Sequence, residues 1–86
     1  MTLQQIRYVT MIAQAGSMNE AAKKLFISQP SLSGAIKELE KEVGIIIFSR
    51  TSKGVVLTAE GEEFLGYARQ ILNQVELLEE KYLEGN

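Results

Sequence analysis

The 86-residue sequence contains neither cysteine nor histidine. Without cysteine there is no disulfide, no thiolate metal ligand and no thiol nucleophile. Without either residue the ordinary nucleophile–base pairs and zinc ligand sets cannot be assembled, so the sequence points to no metal, no cofactor and no enzyme. Long apolar runs are missing too. No stretch approaches the roughly 18 residues that cross a bilayer, and no basic segment followed by an apolar one opens the chain. These absences suggest a soluble, untargeted protein of a reducing, cytoplasmic compartment, with no membrane partner. The adjacent carboxylates Glu62–Glu63 and Glu79–Glu80 sit in a helical pattern, where solvated charge explains them. Neither "GSM" nor "TSKG" has the spacing of a phosphate-binding loop. A chain this short forms one small domain with a modest core, and such domains often need oligomerisation as a staple.

Charge is scarce in sum and uneven in distribution. The formal net charge is −2. Residues 1–58 hold seven basic and four acidic residues, a net of +3, and residues 59–86 hold two basic and seven acidic, a net of −5. A Debye length of about 8 Å at physiological salt hides one end from the other, so a mildly basic head can approach a polyanion despite the acidic tail.

Four helix starts are written in capping chemistry. Thr2 with Gln5 and Ser17 with Glu20 have the spacing of a capping box. Ser28 precedes Pro30, which is tolerated in a first turn because its missing N–H has no partner there. Thr58 precedes Glu60, placed where the helix dipole favours negative charge. Gly16 and Gly44 are natural left-handed stops. Helices are expected at about 3–15, burying Leu3, Ile6, Val9 and Ala13; at 18–25, with Ala21, Ala22 and Leu25; and at 29–43, with Leu32, Ala35, Ile36, Leu39 and Val43 on one stripe. The three residues Phe26 to Ser28 have the length of a helix-turn-helix turn, with Phe26 expected to pack beneath it.

Opposite the apolar stripe of the third helix lie Pro30, Gly34, Lys37 and Lys41, with Ser31 and Ser33 beside them and Gln29 nearer the core edge. Small hydrogen-bonding groups followed by lysines suit a major groove, where short side chains meet base edges and lysines reach phosphate. An ordinary solvated face has the same composition, and these residues alone leave both readings open. "IIIFSRTSKGVVLT" then reads as two strands, roughly 47–50 and 55–58, with Thr51, Ser52 and Lys53 at an exposed tip. A hairpin in this place is a wing, whose lysine either enters a minor groove or simply solvates the turn.

From about 59 to 84 the pattern is one long helix. Phe64, Ala68, Ile71, Val75, Leu78 and Tyr82 follow heptad spacing, broadened by Leu65 and Leu72. This seam calls for the same helix of a second copy, the alternative being that it folds back on its own head.

"GSMNEAAKKLFISQPSLSGAIKELEKEVGIIIFSRTSKGVVLTAEG" resembles the N-terminal winged helix-turn-helix of LysR-type bacterial transcriptional regulators. The likeness rests on Gly16-Ser17, Ala21-Ala22, Leu25, Ser28-Gln29-Pro30, Ser33, Leu39-Glu40, Gly44, Phe48, Arg50, Leu57-Thr58 and Gly61 in this order and spacing. The resemblance implies a mainly α fold of three helices and a two-stranded wing (1–58), followed by a linker helix that pairs between subunits (59–86). It further implies a homodimer on a palindromic double-stranded DNA operator. A tetramer and a small-molecule effector would depend on a C-terminal domain absent from this chain, which is then an isolated DNA-binding fragment.

Carried over by position, Gln29, Pro30 and Ser33 meet bases and nearby backbone, and Ser17, Met18, Ser31 and Lys37 touch phosphate. Arg50 lies on the wing strand and Lys53 at the wing tip, facing the minor groove. Phe64, Ala68, Ile71, Leu72, Val75, Leu78 and Tyr82 form the dimer seam. Gly34 departs from the pattern, because a longer polar or basic residue is common there; either the backbone approaches the groove more closely or one base pair is not read by a side chain. Val9, Met18 and Ile47 replace bulkier or different apolar residues and alter packing only. The competing reading is an interaction module in which the heptad helix is the function and the head a folded cap.

Overall fold

The computed structural model describes residues 1–83, and the end of the expected linker helix, residues 84–86, lies outside them. In chain order come α1 (Leu3–Ala15), α2 (Met18–Leu25), α3 (Gln29–Val43), β1 (Phe48–Thr51), β2 (Gly54–Leu57) and α4 (Ala59–Tyr82). Each helix begins at the cap its sequence offers. Thr2 and Gln5 complete a reciprocal capping box, and Ser17, Ser28 and Thr58 accept from the backbone N–H three residues on. At the second helix only half of the expected box forms, because the Glu20 carboxylate turns outward to Lys23, 3.7 Å away. Gly16 and Gly44 end α1 and α3 in the left-handed conformation.

The core lies where α1, α2 and α3 cross, closed by the start of the hairpin and the first turns of α4. Val9, Ile12, Leu32, Leu39 and Ile47 are its largest fully buried side chains, each contributing roughly 2 kcal/mol by leaving water. In α1 the buried stripe is Ile6, Val9 and Ile12, not the expected set. Leu3 is 45% exposed because it extends that stripe into the terminal turn, and Ala13 is only half-buried. Alanines 21 and 22 are buried, and a small-residue face lets α2 and α3 approach closely.

The wing is shorter at its base and tighter at its tip than its sequence suggests. Strands pair antiparallel in the register Phe48↔Leu57, Ser49↔Val56, Arg50↔Val55 and Thr51↔Gly54, leaving only Ser52 and Lys53 as the turn. Ile47 falls outside the ladder because its N–H donates to Glu40 Oε2 (2.7 Å), an acceptor also shared by Phe48 N (3.2 Å). Thr58 leaves the ladder to cap α4 while its N–H still donates to the Ile47 carbonyl at 3.0 Å. At the other end Val55 N donates to the Gly16 carbonyl (3.2 Å), which ties the wing to the turn between α1 and α2.

Helix α4 serves two surroundings. Its first turns pack on the head, with Leu65 and Ala68 buried and Phe64 half-buried against the core. Further along, Ile71, Leu78 and Tyr82 are exposed. The close seat of its start depends on Gly61, where a Cβ would collide with the Ile47 carbonyl.

Two glycine-to-alanine changes should therefore have opposite signs. Gly61→Ala forces α4 off Ile47 and should cost about 1–3 kcal/mol, whereas Gly34→Ala, with open space around it, should stabilise the exposed helix by about 1 kcal/mol. Urea midpoints for both variants, measured with an unchanged m-value, check this.

Candidate nucleic-acid interface

Burial of Leu32, Ile36 and Leu39 turns the rest of α3 outward. Gln29, Ser33, Lys37 and Lys41 then run along one ridge at four-residue spacing, the i, i+4 neighbours of a helix surface. Pro30, Ser31, Gly34, Lys37 and Lys41 are exposed, and Gln29 and Ser33 are half-buried. The Ser28 cap also donates its hydroxyl to Ser31 Oγ (2.8 Å), so the first turn of α3 presents a hydrogen-bonded hydroxyl pair.

Hairpin and helix meet at Ser33. Arg50 leaves β1 and donates to Ser33 Oγ at 2.8 Å, and Gln29 Nε2 donates to the same oxygen at 3.1 Å. An open groove beside this contact is lined by Ser17, Met18, Asn19, Gln29, Arg50, Thr51, Ser52, Gly54 and Val55. It brings the starts of α2 and α3 together with the wing. The ion pairs among the described residues are Met1–Glu42 and Lys23–Glu20. Lys37, Lys41, Arg50 and Lys53 are exposed and pair with no carboxylate among the described residues. Such uncompensated cations beside neutral hydrogen-bonding groups can hold phosphate while the latter face bases.

Of the expected site residues, Ser17, Met18, Gln29 and Arg50 line this groove and Ser33 is bonded to two of them, while Pro30, Ser31, Gly34, Lys37 and Lys53 do not line it. Ser17 stands at the lip of the groove, its hydroxyl oxygen accepting from Glu20 N at 3.2 Å. Met18 lines the groove but is only 8% exposed and packs with the core. Its backbone N–H lies in the first turn of α2, where a helix leaves N–H groups without an intrahelical partner. Lys53 is exposed at the wing tip, its N–H accepted by Thr51 Oγ1 (3.2 Å). Asn19, Thr51 and Ser52 line the same groove and were not among the expected residues. Asn19 was legible as the second residue after the Ser17 cap, but Thr51 and Ser52 needed the hairpin's docking.

Phe26 overturns an expectation. The ring is 94% exposed rather than packed beneath the turn. Its backbone sits at φ 59°, the left-handed cap of α2, with its N–H donating to Lys23 O (3.2 Å). The turn direction that lets α3 follow α2 carries the side chain outward.

The expected dimer seam divides. Ala68 (2% exposed) and Phe64 belong to the head's own packing, so the folded-back alternative holds for the first turns of α4. Ile71, Leu78 and Tyr82 are exposed, and Leu72 and Val75 half-buried. Leu72 and Val75 floor a groove between α1 and α4 whose walls carry Arg7, Arg69, Glu76 and Glu79.

Comparison with known proteins places this geometry. The family model described as "Bacterial regulatory helix-turn-helix protein, lysR family" matches residues 3–62. The HTH-type transcriptional regulator ClcR of Pseudomonas putida is 42% identical over 77 residues, covering 90% of this chain and 26% of that protein. The Hca operon transcriptional activator HcaR of Escherichia coli is 47% identical over 76 residues, 88% of this chain and 26% of the activator. The chain thus spans about a quarter of the length of these relatives. Among solved structures, a CbnR_DBD–DNA complex superposes with a TM-score of 0.88 at 36% identity, covering 94% of this chain and 93% of that one. The BenM_DBD complex with catB site 1 DNA gives 0.86 at 40% identity, covering 91% and 84%.

The exposed ring makes a stability prediction. Phe26→Asn should leave the urea midpoint within about 0.5 kcal/mol of the parent, or raise it, because asparagine tolerates the left-handed conformation; a core phenylalanine would cost about 3–5 kcal/mol on truncation.

Proposed function

The chain belongs to the lysR family of bacterial regulatory helix-turn-helix proteins, and from that premise we propose that it reads a palindromic double-stranded DNA operator as a homodimer. In this reading residues 1–58 are the winged helix-turn-helix head and residues 59–86 the linker helix. The observation that carries it is the polar ridge of α3, turned outward by its own apolar stripe and joined at Ser33 to the wing. Helix α3 enters the major groove. Gln29, Pro30, Ser33 and Gly34 face base edges, while Ser17, Ser31, Lys37 and the Met18 N–H approach the backbone and Lys53 the minor groove, with Arg50 on the same surface against Ser33. Gly34 leaves one step of the groove without a side chain, so base preference is relaxed there.

The dimer follows from α4. A helix with Ile71, Leu78 and Tyr82 exposed finds cover in a second copy, and a groove that carries both Arg7 and Arg69 and Glu76 and Glu79 has the mixed charge a two-fold contact pairs with itself. The acidic end of α4 then projects away from phosphate. No helix of the described residues is long and apolar enough to cross a membrane, which suits action on DNA in the cytoplasm. The relatives are transcriptional regulators, and the same non-enzymatic role is assigned here. Effector binding and tetramer formation are assigned to no residue of this chain.

Fluorescence-anisotropy titration against duplexes selected for binding, with a scrambled control, tests the reading at two salt concentrations. Affinity should fall with salt for both duplexes and be much tighter for the selected one. Gln29→Ala should relax base preference, whereas Lys37→Ala should weaken all duplexes alike and lower the salt slope by about one. Equal, negligible binding of both duplexes by folded protein would leave the interaction module as the better reading.

The seam has its own test. Leu78→Glu should shift sedimentation toward the monomer and weaken binding of the full palindrome more than binding of a single half-site. An unchanged dimer would remove α4 from the assembly.

A further inference from the structure

Ser33 is tied to two elements at once, and its hydrogen-bond capacity decides what each can do. A serine hydroxyl has two acceptor lone pairs and one proton. Gln29 Nε2 at 3.1 Å and Arg50 at 2.8 Å occupy both lone pairs, so the hydroxyl proton points away from both donors. Gln29 keeps its Oε1 and one Nε2 proton, the acceptor and donor that match the N6–H and N7 of adenine. Helix geometry brings Gln29 and Ser33 together as i, i+4 neighbours, but it leaves the serine rotor and the long glutamine free to turn. The guanidinium arrives from β1, held on a strand whose own position is set elsewhere, and its planar fork loses little freedom in donating.

We propose that Arg50 is a positioning residue. Through Ser33 Oγ it holds the Gln29 amide in its base-reading orientation, so base choice on α3 depends on a residue of the wing strand. The proposal rests on the function proposed above, because it takes Gln29 as a base reader. It differs from a phosphate-binding role for Arg50 in what is lost on substitution: a phosphate contact supplies affinity to every sequence, whereas a positioning contact supplies discrimination.

The experiment uses the chain with a selected operator duplex and a set altered at single positions, titrated by anisotropy. Gln29→Ala first locates the position that Gln29 reads, as the one where preference collapses. At that position Arg50→Ala and Ser33→Ala should each reduce discrimination about tenfold, within the range of a bidentate base contact. In a double-mutant cycle, Arg50→Ala in the Ser33→Ala background should reduce it no further. Circular dichroism and urea midpoints confirm folding, and Ser33→Ala carries the test if Arg50→Ala does not fold. Uniform weakening of all duplexes by Arg50→Ala with discrimination intact, full discrimination retained by Ser33→Ala, or additive losses in the double variant would each overturn the proposal and leave the function standing. If the parent chain itself did not distinguish the selected from the altered duplexes, both would fall.

Discussion

Ile47 is the point where α3, the hairpin and the start of α4 meet. Its side chain is wholly buried, its N–H donates to Glu40 of α3, and its carbonyl accepts from Thr58 at the start of α4. Gly61 clears the space that lets α4 come this close. One residue between two helices thus sets the angle of the hairpin against α3 and the direction in which α4 departs. The Glu40 carboxylate satisfies two backbone donors that a strand partner would otherwise have to meet, which is why the ladder can stop at Phe48 without leaving a buried N–H unpaired.

With that point held, the second anchor is the bond from Val55 N to the Gly16 carbonyl. The wing is fastened at its base to α3 and near its tip to the turn before α2. Arg50, between these two anchors, is carried to Ser33 by rigid elements rather than by a flexible loop. The interface therefore combines neutral hydrogen-bonding groups on α3 with unpaired cations on α3 and the wing, while the protein as a whole remains acidic. Net charge describes this molecule poorly because its surfaces are divided among elements that face different ways.

Much of the architecture was legible in particular residues. Thr2, Ser17, Ser28 and Thr58 announced four helix starts, since each supplies an oxygen to a backbone N–H that a helix cannot satisfy internally. The stripe of Leu32, Ile36 and Leu39 identified the inner face of α3, and with it the outward set. Other residues are ambiguous in sequence because two environments share one pattern. Phe26 is as apolar as Phe48, but a left-handed backbone turns one outward while a strand turns the other into the core. The heptad spacing from Phe64 to Tyr82 is continuous, yet Ala68 is buried against the head while Ile71, Leu78 and Tyr82 are exposed.

The sequence by itself determined the elements, their order and the polarity of each face, because capping and periodicity act over three or four residues and need no distant partner. Tertiary structure alone decided which apolar residues found cover. It buried Met18 and left Phe26 bare, and it divided α4 between the head and solvent. It also brought Arg50 across seventeen positions to Ser33. Contacts of that kind depend on where Ile47 and Gly16 hold the wing, and no spacing along the chain encodes the angle between elements that packing alone sets.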